Sequence, residues 1–273
     1  MAPSKKIALS TWFLVASLPI AAMAQALPLT TLNIGELGFD VSSYRYEETS
    51  NGSFFMSNED NKVGIAVSFS QALRDHWFWG GDARHAFGNA SYTSASTGSK
   101  GNNPDVITEY RLTGGKDYAF GSFVLAPYFG LGQRELSNDM RGYTTTGSAG
   151  YRRFRKYTYM PIGITHRMRA GTYARWSTSL EYDVLIEARE KSYMSDVIST
   201  SNDPVTVRRQ GYGMRLVAGY ETFSWTFGAY AHYWSLGDSD QALRTLNGAP
   251  SGLIMQPQNT TREVGLQFRL HFN

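Results

Sequence analysis

The chain contains no cysteine, and that absence excludes a disulfide framework, a thiolate zinc site and a thiol nucleophile. Past the first two dozen residues no stretch approaches the roughly 18 apolar residues of a spanning helix, which excludes a helical membrane protein. Charge of one sign is also missing: 26 Lys+Arg stand against 23 Asp+Glu, for a net +3 that includes Lys5 and Lys6 near the N-terminus. A nucleic-acid partner is therefore not expected, since such binders carry a marked basic excess. G-x-S-x-G, H-E-x-x-H, a Walker loop and G-x-G-x-x-G are all absent, and Gly130-Leu131-Gly132 lies inside an alternating segment with no helix after it. No cofactor is expected. Aromatic residues, in contrast, make up 14% of a chain whose mean hydropathy is only −0.34.

Residues 1–24 read as a secretory signal peptide. Lys5 and Lys6 supply the positive start, Ile7 to Ala21 the apolar stretch, and Ala22-Met23-Ala24 the small-x-small cleavage pattern, with Ala24-Gln25-Ala26 as a second frame. The apolar stretch is short for a transmembrane anchor. An exported chain with no later apolar helix can enter a membrane only through strands.

Period-two alternation dominates the remainder. Val63, Ile65, Val67 and Phe69 alternate with small or polar residues, and Val264, Leu266, Phe268, Leu270 and Phe272 do the same at the end. Ten such segments are predicted, at about 34–47, 62–72, 77–95, 104–117, 121–137, 153–168, 172–190, 205–221, 223–237 and 259–272. They cover the ~9–11 residues that a tilted strand needs to cross a bilayer. Their connections alternate long and short: 48–61 then 73–76, 96–103 then 118–120, 138–152 then 169–171, 191–204 then 222, and finally 238–258. An even strand number, short periplasmic turns and long outer loops describe a bacterial outer-membrane barrel. The expectation is an all-β, ten-stranded antiparallel transmembrane β-barrel over 34–273, preceded by a short periplasmic N-terminus at 25–33.

The faces point the same way. Trp176, Thr178, Leu180, Tyr182, Val184 and Ile186 share one side of a segment whose other side carries Ser177, Ser179, Glu181, Asp183, Glu187 and Arg189. A periplasmic β-sandwich would have to bury that apolar face in a core, whereas a membrane barrel turns it to lipid. Aromatics recur beside every short turn (Trp77 and Trp79; Tyr118, Phe120 and Phe123; Tyr173 and Trp176; Tyr220, Phe223 and Trp225), as an interfacial girdle requires.

The segments Leu125–Gly132, Tyr157–Gly163, Glu181–Leu185 and Val264–Phe272 resemble the small outer-membrane β-barrels of Gram-negative bacteria, the porin-like and OmpA-like barrels. The resemblance spans 34–272. It implies residence in the outer membrane, and it implies that Phe268, Leu270 and Phe272 form the C-terminal signal read by the barrel-assembly machinery, with Asn273 as a departure from a terminal aromatic. It is specific for architecture and weak for activity, because the superfamily hosts structural proteins, adhesins, pores and a few enzymes. Omptin-type proteases and lipid deacylases of similar topology need a histidine beside acidic or hydroxyl groups. Among the five histidines only His232 reads as lumenal and fairly high, with Asp183 or Glu187 as cross-strand candidates.

Strand parity places Glu36, Asp40, Asp82, Arg84, Glu109, Arg111, Arg134, Glu181, Asp183, Glu187, Arg189, Arg215 and Arg269 inside. Acids and arginines nearly match, and a ten-stranded lumen is narrow, so the reading is an ion-pair network that plugs the barrel. The alternative is a narrow ion or solute path lined by the same charges. At the outer mouth, Arg152, Arg153, Arg155, Lys156, Arg208 and Arg209 are expected either to contact lipopolysaccharide phosphates or to form a solvated rim. The expected role is structural or surface-interacting, in a monomer that is not an enzyme. Its partners would be outer-membrane lipid, lipopolysaccharide and, during biogenesis, the assembly machinery; a porin-like channel and an omptin-like or lipid-modifying enzyme are the competing readings.

Overall fold

The computed structural model describes residues 26–272, so the expected signal peptide lies outside the described residues. Ten long strands form the wall: β1 (Ile34–Ser50), β2 (Ser53–Ala72), β3 (Trp77–Ser94), β4 (Gly98–Lys116), β5 (Phe123–Tyr143), β6 (Ala149–Arg169), β7 (Ala174–Ser192), β8 (Gly211–Thr222), β9 (Trp225–Leu236) and β10 (Asn259–Phe272). Each pairs antiparallel with its sequence neighbours, β9 reaching β10 across the last outer loop. Pairing of β10 with β1, with Leu37 opposite Leu270, closes the ring. Closure removes the exposed sheet edges that a bilayer cannot satisfy.

Each of the ten predicted segments contains a wall strand, and several run further, but 205–221 breaks at residues 209–210, so its wall strand begins only at Gly211. β5 and β6 each have 21 residues, about 70 Å of chain at ~3.3 Å per residue, about twice the ~9–11 residues that crossing a bilayer takes. The expected outer loops 48–61, 96–103 and 138–152 are largely continued sheet, closed by tight turns. At the first, Asn51 (φ 51°) and Gly52 (φ 75°) adopt the left-handed conformation that a two-residue hairpin demands. The apolar alternation stops above the membrane because both faces there meet polar surroundings, while the backbone ladder continues unchanged. The longest outer connections follow β7 and β9. They carry a short strand, Val205–Arg208, and a hairpin, Ala242–Leu246 with Ala249–Ile254.

The lipid-facing belt is apolar on every side. Leu37, Phe39, Val63, Ile65, Phe87, Leu112, Phe129, Leu131, Ile164, Leu180, Leu216, Phe227, Leu266 and Phe268 are all exposed. At the end with the short turns, Trp77, Trp79, Tyr118, Phe120, Tyr173, Trp176, Phe223 and Phe272 are exposed as a girdle. The packed core lies inside the barrel. One irregularity resets the faces: Thr158 pairs with Glu187 but Tyr159 pairs with Leu185, so β7 carries one extra residue at Ile186. Such a bulge shifts the alternation above it by one position.

Candidate functional site

The lumen is filled in levels. At its outer end Tyr46 donates to Glu48 at 2.7 Å, and Arg153 pairs with the same carboxylate at 2.9 Å. Arg155 pairs with Glu190 at 3.1 Å and stacks 4.2 Å above the Tyr46 ring, while Arg208 donates to the Pro257 carbonyl at 3.1 Å and lies 3.6 Å from Glu190. All of these side chains are buried.

Beneath them lies an aromatic level. Tyr44, Tyr157, Tyr159 and Trp234 pack with Met56, Ile107, Leu136 and Leu185, and Trp234 meets the Tyr159 ring edge-on at 5.1 Å. Lys62 enters this level fully buried, held by Asp105 at 2.6 Å and Asp60 at 2.8 Å, with the Tyr44 ring 4.8 Å away. A lysine survives such burial only when paired on more than one side.

The third level is a continuous chain of opposite charges across the lumen. Asp40 meets Arg84 at 2.5 Å; Arg84 meets Glu263 at 2.7 Å; Glu263 meets Arg134 at 3.3 Å; Arg134 meets Glu109 at 3.5 Å. Glu109 then meets Arg215 at 2.7 Å, Arg215 meets Glu181 at 3.0 Å, Glu181 meets Arg111 at 2.7 Å and Arg111 meets Asp82 at 3.1 Å. Most strands of the barrel contribute a member, which is possible only because the strands point their inward residues at a common axis.

Three tyrosines brace this chain by one repeated device. Tyr159 lies opposite Gly132, Tyr128 opposite Gly163, and Tyr230 opposite Gly265 on neighbouring strands. A Cβ on these glycines would fall 2.2, 2.4 and 2.6 Å from the respective tyrosine ring. Each ring therefore lies flat over a residue without a side chain, and each hydroxyl is carried to a carboxylate: Tyr159 to Glu109 at 2.6 Å, Tyr128 to Glu181 at 2.8 Å, Tyr230 to Asp40 at 2.8 Å.

Asp40, Asp82, Arg84, Glu109, Arg111, Arg134, Glu181 and Arg215 thus come together. Asp183 is buried beside Glu181 but makes no ion pair among the described residues, and Arg269 is lumenal but bonds Gln267 and Ser68 instead of a carboxylate. Glu187 and Arg189 are a correction. The bulge at Ile186 turns them outward, where Arg189 is exposed and pairs with Glu187 at 2.5 Å. Glu190 occupies the lumen in their place.

The rim group also divides. Arg153, Arg155 and Arg208 were expected outside, but the wall extends past them, and alternation directs them inward to Glu48 and Glu190. Arg152, Lys156 and Arg209 face outward. Arg152 clamps Asp196 at 2.8 Å, and its hydrogen bonds hold that loop carboxyl below the usual carboxylate range. Arg209 lies 3.5 Å from Glu187. Sequence reasoning missed Glu48, Asp60, Lys62, Asp105, Glu190 and Glu263. The parity of Val264 to Phe272, carried back one residue, already points Glu263 inward.

His232 sits below the aromatic level, its ring tilted against Tyr230 at 4.9 Å and 3.9 Å from Glu263, with neither Asp183 nor Glu187 as its partner. His85 lies on the lipid face against Thr108, and His271 bonds Glu36 at 3.1 Å near the periplasmic mouth. No group of three or more metal-ligating side chains occurs among the described residues.

A closed barrel of alternating strands, apolar outside and charged inside, decides the architecture. The fold is that of the Gram-negative outer-membrane β-barrels. No protein-family model matches the chain, and no curated protein matches its sequence. Among solved structures, the outer-membrane protease OmpT from Escherichia coli is similar with a TM-score of 0.53 at 12% identity, over 91% of this chain and 100% of that one. An outer-membrane channel from Pseudomonas putida F1 aligns with a TM-score of 0.42 at 10% identity, over 92% and 98%. The attachment invasion locus protein Ail of Yersinia pestis aligns at 0.35 and 10%, over 89% and 100%. These likenesses speak to fold alone.

Proposed function

We propose that this chain is a closed, monomeric outer-membrane barrel with a structural or surface-interacting role and no enzymatic activity or cofactor. The observation that carries the reading is the stacking of two ion-pair levels around an aromatic one. A pore needs a continuous wet path, and every level here is built from buried side chains that pair with or pack against their neighbours across the lumen. The burial of His232 beneath Trp234 argues against a catalytic centre open to the outer mouth, where an omptin-like or lipid-modifying enzyme would meet its substrate. The outward cations support contact with outer-leaflet phosphates. Arg152, Lys156 and Arg209 keep that place, and Arg189 and the exposed Arg262 join them above the apolar belt. Phe268, Leu270 and Phe272 all face lipid on the closing strand, which suits an assembly signal read before the barrel seals.

Reconstitution in a planar bilayer tests the reading. The protein should insert without measurable conductance. Large, stable, ohmic channels would make the lumen charges a selectivity lining and the protein a porin-like channel.

A further inference from the structure

The segment before β1 does not hang free. From Ile34 the chain turns back over the periplasmic mouth, where the Leu32 carbonyl accepts from Ser70 at 2.7 Å and Asn33 accepts from the Ala72 amide at 2.6 Å, both on β2. Midway, the Thr31 amide donates to Asp117 at 2.7 Å, and Arg167 of β6 holds the same carboxylate at 3.1 Å. Further on, Arg175 of β7 donates to the carbonyls of Pro28 at 2.6 Å and Thr30 at 2.9 Å while Glu221 of β8 fixes its guanidinium at 2.6 Å. The Leu27 amide finally reaches the Thr172 carbonyl in the β6–β7 turn at 2.9 Å, with the Leu27 side chain buried. In a ring of ten strands β6 stands opposite β1, so residues 27–33 cross the mouth along a diameter.

Above this strap the lower lumen is hollow. Two connected polar cavities of about 220 and 250 Å³ share Glu36, Ser68, Asp82 and Ser179, and Thr31 and Leu32 form part of the wall of the lower one. Each could hold several waters, at roughly 30 Å³ per molecule. The charge chain from Asp40 to Asp82 roofs them.

We propose that residues 27–33 are a releasable latch across a periplasm-facing water chamber, so that the lower half of the lumen opens to the periplasm while the levels above it stay sealed. This rests on the closed-barrel reading. The latch is held mainly by hydrogen bonds to side chains of the wall and by two buried leucines, Leu27 and Leu29, with no sheet ladder of its own. Such an element opens locally at far lower cost than the barrel unfolds. Its two clamps, Asp117–Arg167 and Arg175–Glu221, are complete ion pairs without it, so release leaves no charge unpaired.

The absence of native cysteine makes the test direct. Ser179→Cys places one thiol in the chamber, to be reacted with a charged methanethiosulfonate reagent from the periplasmic side of osmotically opened cells. Leu27→Asp with Thr31→Pro removes the more deeply buried of the two leucines and both Thr31 donors to Asp117 without touching the wall, and should speed labelling about tenfold or more. Equal rates with and without these substitutions would overturn the latch. Thr31→Pro alone, with heat-modifiable gel mobility reporting a folded barrel, keeps the comparison available should the double variant assemble poorly. In a separate background, Leu27→Cys with Thr172→Cys should crosslink on oxidation, and a folded barrel that fails to crosslink would also refute the docking. Labelling of Ser179→Cys from outside intact cells would instead defeat the closed-barrel reading, whatever the strap does.

Discussion

Arg84→Ala is the sharpest test of whether the charge chain holds the barrel shut. Arg84 is 8% exposed and serves two carboxylates, Asp40 at 2.5 Å and Glu263 at 2.7 Å, besides donating to the Tyr230 hydroxyl at 2.9 Å. Truncation leaves Asp40 with Tyr230 alone, while Glu263 keeps Arg134 at 3.3 Å and the Ser42 hydroxyl at 2.9 Å. Breaking a buried pair by removing one member costs about 3–5 kcal/mol, because the remaining charge is stranded in a poorly solvated place. Asp40 is the carboxylate stranded here, and the chamber below can admit water to it, so a cost at the lower end, about 3 kcal/mol, is expected. The control is Arg45→Ala on the outer wall, whose partners Glu47 and Glu59 stay in solvent and whose loss should cost ~1 kcal/mol or less. Urea unfolding in lipid vesicles, followed by tryptophan emission and gel mobility, reads both. Equal costs for Arg84→Ala and Arg45→Ala would refute the claim that this chain is buried and cohesive. Arg84→Ala should not conduct ions, since the Tyr159–Trp234 level lies above the gap.

Three further outcomes follow from other parts of the molecule. Gly132→Ala drives a methyl group into the Tyr159 ring and should lift its hydroxyl off Glu109, costing about 1–3 kcal/mol in the same unfolding assay, whereas a neutral result would show that the ring does not depend on the notch. Phe272→Ala should lower the amount of folded barrel in the outer membrane more than Leu270→Ala does, as quantified by heat-modifiability, and equal wild-type levels would show that the terminal aromatic is not read. Cysteines at Asn51 or Asn247, both at tight outer turns, should react with an impermeant reagent on intact cells, while cysteines at Lys116 or Gly171 should not; the reverse pattern would invert the topology.

Strand number, order and sidedness were legible in the residues alone. A bilayer imposes one rule on every strand, apolar outward and anything else inward, so a local period-two pattern suffices to locate Leu37 to Val41 or Val264 to Phe272 without any knowledge of their neighbours. The same rule identified most of the inward charges, because parity needs only a strand and a face. Above the bilayer the rule lapses. Both faces of the wall there tolerate polar groups, so the pattern could not reveal that β5 and β6 continue to Tyr143 and back from Ala149, nor that Arg153 and Arg155 still point into a lumen. A single added residue at Ile186 reverses every face beyond it, and only the register of β7 against β6 discloses it. The pairing itself is a property of the closed ring. Arg84 and Glu263 lie 179 positions apart and meet because β10 closes onto β1, and the strap finds Arg175 because half a turn of barrel brings β7 across from its root. Local hydropathy decides which way a side chain points; the circumference of the barrel decides what it meets there.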